Sequence, residues 1–184
     1  MDSALIDTKL IRANGQAGSV TITAPTIDMF DTKIRTQAFG GEKGDSGPVM
    51  FIATGPETIS LVDSEIVTSA ENGALNAGDI TMTGPSVNVA NTQIRAEAQE
   101  SSGGVAGTII FNVETVTFTD QSFVLSRNVT RTGGQASAIR IQGLMGPSSE
   151  AHVVVLDKQS RLQVSNEDAS VGPVAAQSTS IAIL

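Results

Sequence analysis

The sequence contains no cysteine, no tryptophan and no tyrosine, and a single histidine. Without cysteine there is neither a disulfide framework nor a thiolate metal site, and this absence fits a reducing or an oxidising compartment equally. Six phenylalanines are the whole aromatic complement, so the ring platforms that stack bases or sugar faces are scarce. Cations are sparse as well: 11 Lys and Arg stand against 19 Asp and Glu, for a net charge of −8. They are scattered singly, with no cluster to follow a phosphate backbone, and nucleic acid is not an expected partner. No apolar run reaches the length of a membrane span, and Met1-Asp2-Ser3-Ala4 has neither the basic nor the apolar region of a signal peptide. The signal of an exported parent protein is therefore expected upstream of this chain.

What the 184 residues do have is 40% hydrophobic content, enough for one domain with a continuous core, and an internal repeat. The segment Gly18 to Arg35 (GSVTITAPTIDMFDTKIR) aligns without a gap on Gly78 to Arg95 (GDITMTGPSVNVANTQIR), sixty residues later. Gly47 to Ala77 repeats the same order of features between them, with two extra residues near Ala53 and Thr54, so sixty residues are two periods. A further copy runs from Gly107 through Ile109, Phe111, Val116, Phe118, Asp120, Phe123 and Leu125, and a looser one begins near Ala136.

Within a copy the apolar residues alternate, as in Val20, Ile22, Ile27, Met29 and Ile34, the period-two pattern of strands with one buried face. Such short strands cannot close a core alone, but stacked copies bury one together. The expected fold is therefore all-β: a parallel β-helix with three short strands per coil and about five to six coils. The expected single domain reads as a partial coil at 1–17, coils at 18–46, 47–77, 78–106 and 107–135, an irregular coil with an insertion at 136–177, and an unfinished strand at 178–184. Pro25, Pro56 and Pro85 mark one corner, where the missing backbone donor is tolerated. A second corner carries a turn ladder of Asp7, Asp31, Asp63, Asn91 and Asp120, residue types that re-aim a chain cheaply. In the last four, an apolar residue follows three positions on: Ile34, Ile66, Ile94 and Phe123. Asp7, before Leu10, is placed in the same series. The third corner is glycine-rich, at Gly40, Gly41, Gly44 and Gly47, Gly73 to Gly78, Gly103, Gly104 and Gly107, and Gly133 and Gly134; glycine there permits positive φ, and the varying length marks a surface loop.

The unit GDITMTGPSVNV followed by NTQIRA resembles the repeats of filamentous-haemagglutinin-like exoproteins, large bacterial products of two-partner secretion. The resemblance covers roughly residues 5 to 135. It implies a right-handed helix and an extracellular or cell-surface setting. The secretion module of that family has no counterpart in this sequence. Residues 1–17 supply the later part of a coil and 178–184 a first strand, so the two ends together approximate one whole coil. Homotypic end-to-end stacking is accordingly an expectation, alongside a host or cell-surface protein or glycan as partner.

Catalytic and metal-binding constellations are not legible. Parallel β-helices also include polysaccharide lyases and hydrolases, and a carbohydrate-active protein is the alternative reading. That chemistry needs carboxylates grouped on one face, whereas Asp28, Asn88 and Thr117 fall at equivalent outward positions and form no acidic row. His152, beside Val153 to Val155, reads as a strand-edge residue. Gly41 to Gly47 misses the spacing of calcium-binding nonapeptides. Asn128-Val129-Thr130 is a formal glycosylation sequon that is usually silent in bacterial chains. The Thr21/Thr23 and Thr81/Thr83 pairs would suit an ice-binding lattice, but Met50, Ile52, Ile110 and Asn112 interrupt it. Met50, Ile52 and Ile110 form instead a possible partner patch. No cofactor, metal or catalytic residue is expected.

Overall fold

Alternating residues with one apolar face form strands, and strands of equal spacing stack when each turn of chain returns to the same angular position. The computed structural model describes residues 3–40, 44–56, 58–99, 104–130, 137–168 and 182–183. Their regular structure is entirely β, and every strand pair is parallel. The chain is a parallel β-solenoid of about four regular turns, followed by an irregular one made of the strands Ile139–Gln142, Val153–Leu156 and Arg161–Asp168, against the five to six coils expected. Before Val20 and after Asp168 the described residues add separate short strands.

The chain opens with β1 (Ala4–Ile11) and the two-residue β2 (Gly15–Gln16). The first full turn is β3 (Val20–Ala24), β4 (Ile27–Phe30) and β5 (Thr32–Phe39), followed by β6 (Gly44–Asp45). The second is β7 (Val49–Ala53), β8 (Thr58–Val62) and β9 (Glu65–Glu71). In the third, β10 (Ile80–Ala90) and β11 (Gln93–Gln99), and in the fourth, β12 (Ile109–Thr119) and β13 (Phe123–Thr130), the first two strands have merged. There the proline corner survives as a slip of phase, with Gly84 and then Val87 facing inward. The remaining strands are β14 (Ile139–Gln142), β15 (Val153–Leu156), β16 (Arg161–Asp168) and β17 (Ala182–Ile183). One face stacks β1-β5-β9-β11-β13-β16 and the other β3-β7-β10-β12-β14-β17, with β4-β8-β10 and β12-β15 alongside. Residues 169–181 and 184 of the expected last strand and irregular coil, and Gly41, Gly103, Gly133 and Gly134 of the third corner, lie outside the described residues.

Register places like on like. Val49, Ile80, Ile109 and Ile139 form one inward row, Phe51, Met82, Phe111 and Ile141 a second, and Ile34, Ile66, Ile94 and Val124 a third, all essentially fully buried. Each such large side chain contributes about 1.5–3 kcal/mol by leaving water. Phe111 and Phe118 meet edge to face, with ring centroids 5.3 Å apart.

A polar column runs through this core. Thr36 and Thr68 point inward, and their hydroxyls donate to the carbonyls of Gly47 and Gly78, as Ser126 does to Gly107. Gly47, Gly78 and Gly107 are buried, and a Cβ at any of them would strike the backbone of the preceding glycine in the column. These glycines are needed for close approach, not for loop flexibility. Thr8 joins the same column by donating to Gly18, which fixes β1 with Ile6 over Ile34 and Asp7 opposite Arg35. The placement of Asp7 in the turn ladder is therefore corrected: it lies mid-strand, four residues from the corner register, where it pairs with Lys9 at 2.8 Å.

Candidate functional site

At the second corner Asp31, Asp63, Asn91 and Asp120 all adopt positive φ, between 45° and 55°. Asp and Asn tolerate this left-handed conformation better than other residues with a side chain. A buried hydroxyl residue completes each corner. The amide of Thr32 donates to Ser64 Oγ at 3.2 Å, that of Ser64 to Thr92 Oγ1 at 3.1 Å, and that of Thr92 to Ser122 Oγ at 3.3 Å. The amide of Ser122 donates in turn to Ser160 Oγ at 3.1 Å.

The corner changes width along the rod. In the first three turns the hydroxyl residue directly follows the acid or amide, as Asp31-Thr32, Asp63-Ser64 and Asn91-Thr92. In the fourth, Gln121 intervenes between Asp120 and Ser122, and it too has positive φ, 66°. The next corner has the same length, since Phe118 pairs with Leu156 and Phe123 with Arg161. One added residue reverses which side chains face inward. Phe123 aligns with the outward Gln93, and Val124 takes the core position over Ile94. The expected inward phase of Phe123 and Leu125 is thus corrected: Phe123 is turned outward and half-buried, and Leu125 falls in register with the outward Arg95, although it is itself buried.

This slip produces a groove of about 380 Å³ lined by Gln121, Ser122, Phe123, Gln159, Arg161 and Gln163. The carboxylate of Asp157, beside it, accepts from the amides of Asp120 at 2.9 Å, Gln159 at 3.0 Å and Ser160 at 2.6 Å. Hydrogen bonding from Ser160 foremost, and from the Asp120 and Gln159 amides, outweighs desolvation and holds its pKa below the ordinary aspartate value.

Away from the groove, outward polar side chains bond to the neighbouring turn. Gln142 Nε2 donates to Asn112 Oδ1 and Asn112 Nδ2 to Thr83 Oγ1, at 2.7 and 3.0 Å. Thr117 donates to Asn88, Thr115 pairs with Ser86, and Asn91 donates to Asp63. On the opposite face Glu65 receives Arg35 and Arg95, each at 2.5 Å, while Arg127 reaches Glu97 at 2.9 Å. Burial tends to raise the pKa of Glu65, but the two guanidinium groups outweigh it and bring the carboxyl below 4.5.

Met50 is exposed on the outer row with Thr21, Thr81, Ile110 and Arg140, while Ile52 and Ile110 are half-buried, so the three do not form one broadly exposed apolar face. His152 is exposed beside β15, and its amide donates to Glu114. Asn128 of the sequon is fully buried and donates to Gly104 at 2.6 Å. Among the described residues no group of three His, Asp or Glu side chains could hold a metal ion, and no helix is long and apolar enough to cross a membrane. Sequence reasoning missed Gln121, Gln159, Arg161 and Gln163. The available signal was the displaced serine in Asp120-Gln121-Ser122. Comparison with protein-family models, with curated proteins and with solved structures gives no match.

Proposed function

We propose that this chain is a non-catalytic structural and adhesive segment of a secreted or cell-surface protein of the filamentous-haemagglutinin-like kind. The observation that carries this reading is the use of outward polar side chains as ties between turns. The ladders Thr83–Asn112–Gln142, Asp63–Asn91 and Arg35–Glu65–Arg95 join consecutive turns on both faces of the rod. Such ties stiffen a solenoid along its length. Among the described residues no strand pairs with the outer side of β1, where Leu5 is 64% and Ile6 37% exposed, and this supports the stacking part of the reading, because an unpaired strand edge accepts a further parallel strand.

Sedimentation across a concentration series tests it, with electron microscopy of the same samples. Association into end-to-end filaments, weakened by Ile6→Lys, is the expected result; strictly monomeric particles at high concentration overturn the stacking reading. Met50→Lys and Ile110→Lys test lateral contact, and unchanged assembly in both removes it. Cleavage of a polyuronide by the purified protein would overturn the non-catalytic assignment.

A further inference from the structure

We propose that the widened corner binds a carboxylated sugar, with Arg161 receiving the carboxylate, the amides of Gln121, Gln159 and Gln163 receiving hydroxyls, and Phe123 carrying the apolar face of the ring. This deepens the adhesive reading and rests on it for biological purpose, while the site itself stands on its own geometry. The argument begins with satisfaction. Gln142, Asn112, Asn91, Arg35 and Arg95 each bond to a neighbouring turn. The side chains of Gln121, Gln159, Gln163 and Arg161 have no partner among the described residues, yet all four line one groove.

Their chemistry narrows the ligand. Each amide offers both donors and an acceptor, which matches sugar hydroxyls; a phosphate would leave the acceptors idle. A guanidinium presents paired donors suited to a planar carboxylate. The Asp157 carboxylate is turned to three backbone amides, so the charge facing the groove is that of Arg161. A chain of net charge −8 repels a densely anionic polymer, whereas one carboxylate per residue requires a single cation here. Phe123 is half-buried and neighbours Arg161 in register, which places an apolar surface beside the cation. The volume lies within the range of small-ligand clefts.

Isothermal titration calorimetry tests the proposal with trigalacturonate against galactotriose and sialyllactose against lactose, the two pairs separating hexuronate from sialate. The expected result is saturable binding of at least one acidic member and about tenfold weaker binding of its neutral counterpart. Arg161→Ala should weaken the acidic ligand by about tenfold, and Phe123→Ala by a similar factor. Both variants should keep the far-ultraviolet spectrum of the parent. Arg140→Ala alters an exposed arginine on the opposite sheet face and should change nothing. No saturable heat with any sugar, equal binding of acidic and neutral members, or equal losses in Arg140→Ala and Arg161→Ala would each overturn the assignment. An acidic peptide that binds through Arg161 when no sugar does would also overturn it. Monomers that bind acidic sugar refute end-to-end stacking and leave this site standing; filaments indifferent to every sugar do the reverse.

Discussion

In the turns that carry Asp31, Asp63 and Asn91 the second corner takes two residues, and in those that carry Asp120 and Asp157 it takes one more. The narrow corners keep Ile34, Ile66 and Ile94 in the core and bind Asp63 to Asn91 outside. The wide ones put Val124 and Leu162 in those core positions and turn Phe123 and Arg161 outward. The core row continues unbroken while the surface changes character. In a solenoid, therefore, a corner length can revise one outer row without disturbing the column beneath it.

The largest effect expected is on the core shared by both regions. Phe111→Ala should cost about 3–5 kcal/mol, while Phe123→Ala, on the outer row, should cost about 1 kcal/mol. Urea unfolding followed by circular dichroism measures both, and equal costs would break the distinction between the rows. Gly78→Ala in the narrow region comes next, at about 3 kcal/mol, because its Cβ has nowhere to go against the Gly47 backbone. Thr92→Val should cost about 2 kcal/mol in the same assay, since the buried Ser64 amide loses its acceptor.

A smaller effect is electrostatic. Glu65 is held below 4.5 in the folded chain, so the stability it contributes is present above that pH and is lost as pH falls through the folded value. Glu65→Gln should cost about 1 kcal/mol or less at neutral pH. It should also flatten the fall in melting temperature below pH 4.5, as calorimetry across pH would show. The smallest effect is at the corner itself. Asp31→Gly should stay within about 0.5 kcal/mol of the parent, because glycine accepts the left-handed φ of 46° at no steric cost.

Much of this architecture was legible because the repeat is written in the residues that pack. Val20, Ile22, Ile27, Met29 and Ile34 carry the period of two, and Asp31, Asp63 and Asn91 carry the corner. The rest escaped for identifiable reasons. Asp7-Thr8-Lys9 imitates Asp31-Thr32-Lys33 in letters, yet Thr8 belongs over Thr36, where its hydroxyl meets a glycine carbonyl. A column whose hydroxyls, at Thr8, Thr36, Thr68 and Ser126 but not Ala96, bond to distant carbonyls has no local pattern to betray it. A phenylalanine three residues after an aspartate fits the inward series in letters, yet Phe123 is turned outward. Only the count from Phe118 to Val124, set against Val89 to Ile94, reveals the added residue. The candidate groove was hidden by the same slip, since its members are ordinary glutamines whose meaning comes from being turned outward together.

The corner hydroxyls have a direction. Ser64 serves the amide of Thr32, Thr92 that of Ser64, Ser122 that of Thr92 and Ser160 that of Ser122, so the acceptor always comes from the later turn. A chain delivered amino end first thus finishes each bend only when its successor arrives.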